Sequence, residues 1–212
     1  MRPRTWGCTS SSTRPRETAA AAVSGNNNTG ALLGGAAFAA GRFNNALSLD
    51  GIDGRVLINN TAGLNLANAL TLSAWLNPAD LSGAYRTVAI KGVPGLRGYG
   101  MNVKAGALNF VKMAATDTNV TSTVTLATGA WQHAVITWDA TAGEVKFYLN
   151  GVLAQTVLDA AALTAPLDAD YLSIGSWLTG GSFFKGSIDD LRIYNRALSA
   201  ADVSTLHHNA PP

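Results

Sequence analysis

The chain has 212 residues, of which only 13 % are charged, and its net charge is +2 at neutral pH. That length suits one domain with a substantial core, and so mild a charge points to neither nucleic acid nor an anionic membrane as partner. No apolar run approaches the ~18 residues of a membrane span, the first residues lack the apolar centre of a secretory leader, and the single Cys8 excludes an intrachain disulfide or a cysteine metal site.

Residues 1–22 show little periodicity, carry Arg2, Arg4, Arg14 and Arg16, and read as a disordered or aberrant N-terminal segment. Residues 23–212 read as one domain. Short alternating runs follow one another there: "ALSLDG", "RVLINN", "LTLSAWLNP", "RTVAIKG", "YGMNVKAGALNFVKM", "STVTLATG", "WQHAVITWD", "EVKFYLNGVLAQTVL", "YLSIGSWL" and "KGSIDDLRIY". Clusters of Gly, Asn, Asp and Pro separate them, which predicts an all-β, two-sheet antiparallel sandwich. Asn150-Gly151 predicts a type I′ hairpin. In the strand before it Val145, Phe147 and Leu149 share one face, and Lys146 and Tyr148 the other. Only the C-terminus reads as helical, a short helix with Ser199 as N-cap, Asp202 in the capping-box position, and Val203 and Leu206 facing inward.

The adjacent carboxylates Asp189 and Asp190 stand out in the last strand. Successive strand side chains point to opposite faces, so at least one of the two faces inward or sits at a sheet rim. A buried carboxylate needs a cation, a metal or several donors. Arg192, Arg196 and water are the plain candidates for partner.

In order, the segments "SGNNNTGALLGG", "GRFNNALSLDGIDGRVLI", "LTLSAWLNP", "GAWQHAVITWD", "VKFYLNGVL", "LSIGS" and "FKGSIDDLRIYNRALSAADV" resemble the laminin-G-like jelly-roll domains of the concanavalin A-like lectin/glucanase superfamily. The resemblance implies a jelly roll of two packed sheets, one of them concave. It also implies a structural calcium tying the last strand to the N-terminal segment, with Asp189 as ligand, Asp190 beside it and Asn27 as partner from the "SGN" loop. The head departs from the family pattern: Ala22 stands near the position where members carry an Asp, and fewer charged ligands weaken such a site. Thr13 to Thr18 can be encoded so that the frame one base upstream gives Asp-Glu-Ala-Ser-Gly-Asp, close to the family's opening, which suggests a frameshift in the gene or its assembly.

Catalysis is not expected. The superfamily's glucanases place Glu-x-Asp-x-Glu on one strand, whereas this chain has only Glu17, in the head, and Glu144, beside a turn. Asp168 and Asp170 have the spacing but fall in a loop, there is no Gly-x-Ser-x-Gly elbow, and His133 reads as a structural histidine. Sugar recognition instead needs exposed rings and convergent polar groups. Trp177, before the Gly-rich "LTGGSFFKG", is the leading candidate, with Tyr85, Tyr99 and Phe183 as further rings and Arg86, Arg97, Asn102 and Asn109 as polar partners. Trp75, Trp131 and Trp138 read as core. The expectation is a non-catalytic recognition or adhesion module, binding a polysaccharide or glycoprotein surface. Its family implies a secreted or cell-surface bacterial protein of several domains. The alternative is an inert spacer domain.

Overall fold

The computed structural model describes residues 4–6, 19–21, 28–93, 96, 98–113, 118–159 and 170–209. Among these residues the strands form two antiparallel sheets, a jelly-roll sandwich as the alternating runs predict. The front sheet runs β14 (Val152–Leu158), β13 (Glu144–Leu149), β12 (Gln132–Asp139), β7 (Ala69–Asp80), β16 (Lys185–Tyr194), β5 (Asn45–Asp50) and β4 (Ala37–Ala40), with β1 (Arg4–Trp6) also paired to β16. The rear sheet runs β11 (Thr118–Thr125), β10 (Ala107–Met113), β9 (Gly98–Lys104), β8 (Tyr85–Lys91), β15 (Leu172–Ile174), β6 (Arg55–Ile58), β3 (Thr29–Leu33) and β2 (Ala19–Ala21).

Period-two alternation builds the core between the sheets. From the front come Leu70, Leu72, Ala74 and Leu76 of β7, Ala134, Ile136 and Trp138 of β12, and Val145 and Phe147 of β13. From the rear come Val88, Tyr99, Met101, Val103, Leu108 and Phe110. Tyr99 was a candidate exposed ring; it is instead 1 % exposed and its hydroxyl donates to the Leu64 carbonyl at 2.9 Å. The reason is register, since Tyr99 shares a strand face with Met101 and Val103, so its ring is drawn inward and its hydroxyl must find a buried acceptor.

Local signals are fulfilled at both ends of the hairpin and helix. Asn150 and Gly151 both have positive φ, 50° and 81°, as a type I′ turn requires. The helix α1 (Ala200–His208) starts at Ser199, whose hydroxyl accepts from the Asp202 amide while the Asp202 carboxylate accepts from the Ser199 amide. Val203 and Leu206 then pack the helix onto Val135, Tyr148 and Leu198, covering part of the front sheet's outer face.

Within residues 1–22, expected to be disordered or aberrant, the structure forms β1 and β2. Thr5 lies opposite Arg192, and Ala20 opposite Gly30. On that side β5 pairs only with Lys185 to Ile188 of β16. The rest of β16 therefore offers unpaired backbone groups, which an extended segment can satisfy whatever its side chains.

Candidate functional site

The loop from Gly175 to Phe184 lies over the outer face of the rear sheet. Backbone bonds pin it there: the Gly175 amide donates to Val88, the Thr87 amide to Ser182, and the Phe184 amide back to Gly175, all at 2.8–3.0 Å. At its tip the Trp177 amide donates to Gly181 and the Gly180 amide to Trp177. Such a tight reversal needs left-handed backbone, and Gly180, Gly181 and Ser182 have φ of 88°, 90° and 49°. The Trp177 ring is thereby laid against Ile90, Val111 and Met113, an apolar patch on the outside of the sandwich.

Beside that ring opens a pocket of about 390 Å³, lined by Tyr85, Asn102, Val111, Asn119, Trp177, Gly180 and Ser182. Of the side chains that the sequence marks as ligand-binding candidates, Trp177, Tyr85 and Asn102 thus meet in one place; Arg97 lies outside the described residues. Asn109, on β10, stands directly across from Asn102, and its amide donates to the Thr121 hydroxyl at 2.9 Å. Arg86 is committed elsewhere, with its guanidinium 2.8 Å from Asp80. The Ser82 hydroxyl and amide, with Arg86, hold the Asp80 carboxyl far below the usual carboxylate range. Lys104 sits over the Tyr85 ring, 5.4 Å from its centroid. The pocket's wall is therefore aromatic and amide in character, with no charged lining residue among those described.

The acidic doublet lies on the other side of the sandwich. Asp189 faces Trp75 across β7, yet Arg192 faces Ser73, so three steps on β16 match two on β7. The extra residue makes a bulge at Asp190, whose φ is 45°. Ile188, Leu191 and Ile193 thereby keep their places in the core. Both carboxylates are turned to the front sheet's outer side, buried at 5 % and 4 % exposure. Asp190 accepts from the Arg192 guanidinium at 2.8 Å. Asp189 accepts from the amides of Phe43, at 2.8 Å, and Asp190, at 2.7 Å. Burial pushes both carboxyls above their ordinary range, against those donors.

Asp190 thus pairs with one guanidinium, while Asp189 beside it is held by backbone amides. The Asp189 carboxylate accepts from the Phe43 and Asp190 amides, with the Arg42 amide also acting on it, and of its about four lone-pair sites one remains for a hard cation. No group of three His, Cys, Asp or Glu suited to a metal occurs among the described residues, so a cation there would need backbone or amide oxygens. Asn27, the expected amide ligand, lies outside the described residues.

A family model described as the concanavalin A-like lectin/glucanases superfamily matches residues 50–204. The chain belongs to that superfamily. Among solved structures it is similar to domain 4 of AbnA, a GH43 extracellular arabinanase from Geobacillus stearothermophilus, in complex with arabinotriose: 23 % identity over 89 % of this chain and 92 % of that one, TM-score 0.74. It is also similar to the binding domain of Paraclostridial Mosquitocidal Protein 1, at 16 % identity over 96 % of this chain and 51 % of that one, TM-score 0.75. A structure of botulinum neurotoxin type C, whose cell entry depends on interaction with two ganglioside molecules, matches at 15 % identity over 97 % of this chain and 50 % of that one, TM-score 0.72. This chain spans about half the length of those two toxin structures. At these identities the likeness concerns the fold. No curated protein sequence matches the chain.

Glu144 pairs with Lys146 at 2.6 Å at a strand end. Glu17 and Asp168 lie outside the described residues. His133, read as structural, is 1 % exposed and hydrogen-bonded through Nε2 to the Ser73 hydroxyl at 2.9 Å.

Sequence reasoning missed what His133 is part of. Trp75 was expected in the core; it is buried, but on the outer face of the front sheet. It stacks with His133 at 5.2 Å and with His207 of α1 at 5.1 Å, while the Arg42 guanidinium lies 4.8 Å from its ring. The signal available was strand parity: Trp75 has opposite parity to Leu72, Ala74 and Leu76 on the one side and shares it with Ser73 and Thr71 on the other.

Proposed function

We propose that the chain is a non-catalytic recognition module that binds carbohydrate in the pocket between Trp177 and Tyr85. The observation that carries this reading is the pocket itself: two aromatic side chains and an inward amide converge beside a loop fixed by backbone bonds. A ring that is already immobile loses little freedom on binding, and the apolar face of a sugar can stack on it while hydroxyls meet amide oxygens. The uncharged lining supports the assignment, and so does the likeness to a domain solved with arabinotriose and to a toxin that interacts with gangliosides. An inert spacer would more naturally present a uniformly charged or a Thr/Ser-lined face. The module belongs, on this reading, to a secreted or cell-surface protein with further domains, as the arabinanase does.

The test is isothermal titration calorimetry with linear arabino-, xylo- and manno-oligosaccharides. Trp177→Ala should weaken binding at least tenfold, and Trp177→Phe should keep most of it. Heat of binding that is unchanged in Trp177→Ala would move the site away from this pocket, and no binding to any glycan would leave the spacer reading.

A structural calcium at Asp189, with Asn27 as an amide ligand, belongs to the same proposal. The under-compensated pair of buried carboxylates supports it. Calcium at 100 times its dissociation constant should stabilise the EDTA-treated protein by about 2.7 kcal/mol, and Asp189→Asn should abolish the rise in melting temperature. An absent shift would mean that Arg192 and the Phe43 and Asp190 amides alone hold the doublet.

A further inference from the structure

Resting on the carbohydrate reading, we infer that the pocket selects neutral, hydroxyl-rich glycans over acidic ones, and that Asn102 sets this selectivity. Asn102 lines the pocket, is 1 % exposed, and its Oδ1 has no hydrogen-bond partner. Its neighbours across the sheet repeat the pattern. Thr87 on β8 and Asn109 on β10 stand opposite it, both at 0 % exposure, and neither Thr87 Oγ1 nor Asn109 Oδ1 has a partner. The Asn109 amide nitrogen is spent on Thr121, which orients that side chain and leaves its oxygen without a donor. Two amide oxygens and one hydroxyl in a row, spanning about 10 Å at ~4.8 Å per strand, stand without a hydrogen-bond partner among the described residues.

Unpaired buried acceptors are costly, and nearly all such groups in folded proteins find a partner. A sugar hydroxyl entering the pocket supplies the missing donor after a small rotation of the Asn102 amide. A carboxylate or sulfate group cannot, because it brings only acceptors to the amide oxygens of Asn102 and Asn109. Among the described residues the wall offers it no cation: Arg86 is held by Asp80 and Lys104 lies over Tyr85. The selectivity comes from what the site lacks, in the same way that a site built to hydrogen-bond a hydroxyl rejects analogues without one.

The experiment is calorimetry at 150 mM salt with arabinohexaose, xylohexaose, mannohexaose and hexagalacturonate, on the wild type and on Asn102→Leu, Asn102→Ser and Arg97→Ala, with a thermal melt of each. At least one neutral hexaose should bind, with hexagalacturonate at least tenfold weaker. Asn102→Leu should weaken neutral binding at least tenfold while its melting temperature holds or rises, because the variant removes an unpaired acceptor. Asn102→Ser should recover part of the binding. Hexagalacturonate binding as tightly as the neutral hexaoses, and losing that affinity in Arg97→Ala, would overturn the selectivity and leave the carbohydrate reading intact. A lowered melting temperature with unchanged binding in Asn102→Leu would make Asn102 structural and overturn its role. Failure of all four hexaoses would overturn the carbohydrate reading itself, and this inference with it.

Discussion

Arg192→Met is expected to destabilise the fold by about 3–5 kcal/mol, the usual cost of removing one partner from a buried ion pair. Arg192 is 5 % exposed and donates to Asp190 at 2.8 Å, the one ion pair of this buried carboxylate among the described residues. Without it, Asp189 and Asp190 lie side by side with only backbone amides to compensate them. Burial already raises both carboxyls, so the folded protein holds its protons more tightly than the unfolded chain does. A carboxyl raised on folding contributes stability below its unfolded value and loses it as pH rises through the folded value. Arg192→Met should raise the Asp190 carboxyl further, so its deficit should be larger at pH 7 than at pH 4.5. Urea unfolding at the two pH values measures this. A deficit below about 1 kcal/mol, or one that does not shrink on acidification, would mean that the pair is solvated and its charge compensated by water.

How much of this could be read beforehand depends on whether a feature is local. The Asn150-Gly151 turn and the Ser199–Asp202 capping box are set by residues within a few positions of each other, and both form as read. Alternation likewise delivers the core side of β7 and β13. The bulge at Asp190 is different. Nothing in "SIDDLRIY" says that one residue will be left over against β7, so strand alternation, from which at least one carboxylate was expected inward or at a rim, does not show that both end buried on the outer side. The stack of Trp75, His133 and His207 joins two neighbouring strands to the terminal helix, a contact fixed only by how the helix docks. The pocket is intermediate: Trp177, Tyr85 and Asn102 were each chosen for residue type and loop context, while their convergence depends on the order of strands in the rear sheet. Tyr99 shows the limit of residue type alone, since its parity with Met101 and Val103 already assigned it inward.

The second large effect concerns acid. His133 is 1 % exposed, its Nε2 is held by Ser73, and its ring stacks on those of Trp75 and His207. Burial first, then the nearby His207 and Arg192 charges, push it down to about 3. In the unfolded chain the same histidine takes up its proton near pH 6.5. Between these values the unfolded state holds the extra proton, so stability falls with falling pH, by up to about 1.4 kcal/mol per unit. His207, also lowered by burial and then by His208 and Arg42, acts in the same direction, though its greater exposure weakens its share. Asp189 and Asp190 oppose the fall, because their raised carboxyls favour the folded state as they protonate. The stability curve should therefore fall below pH 6.5, less steeply where the carboxyls take up their protons. Replacing His133 by Phe keeps a ring against Trp75 and removes the titration. Urea unfolding at pH 7 and pH 5 should give the wild type a loss of about 2 kcal/mol and His133→Phe less than half of it. Equal losses in the two proteins would show that His133 takes up its proton without leaving the fold, and that the acid response comes from other groups.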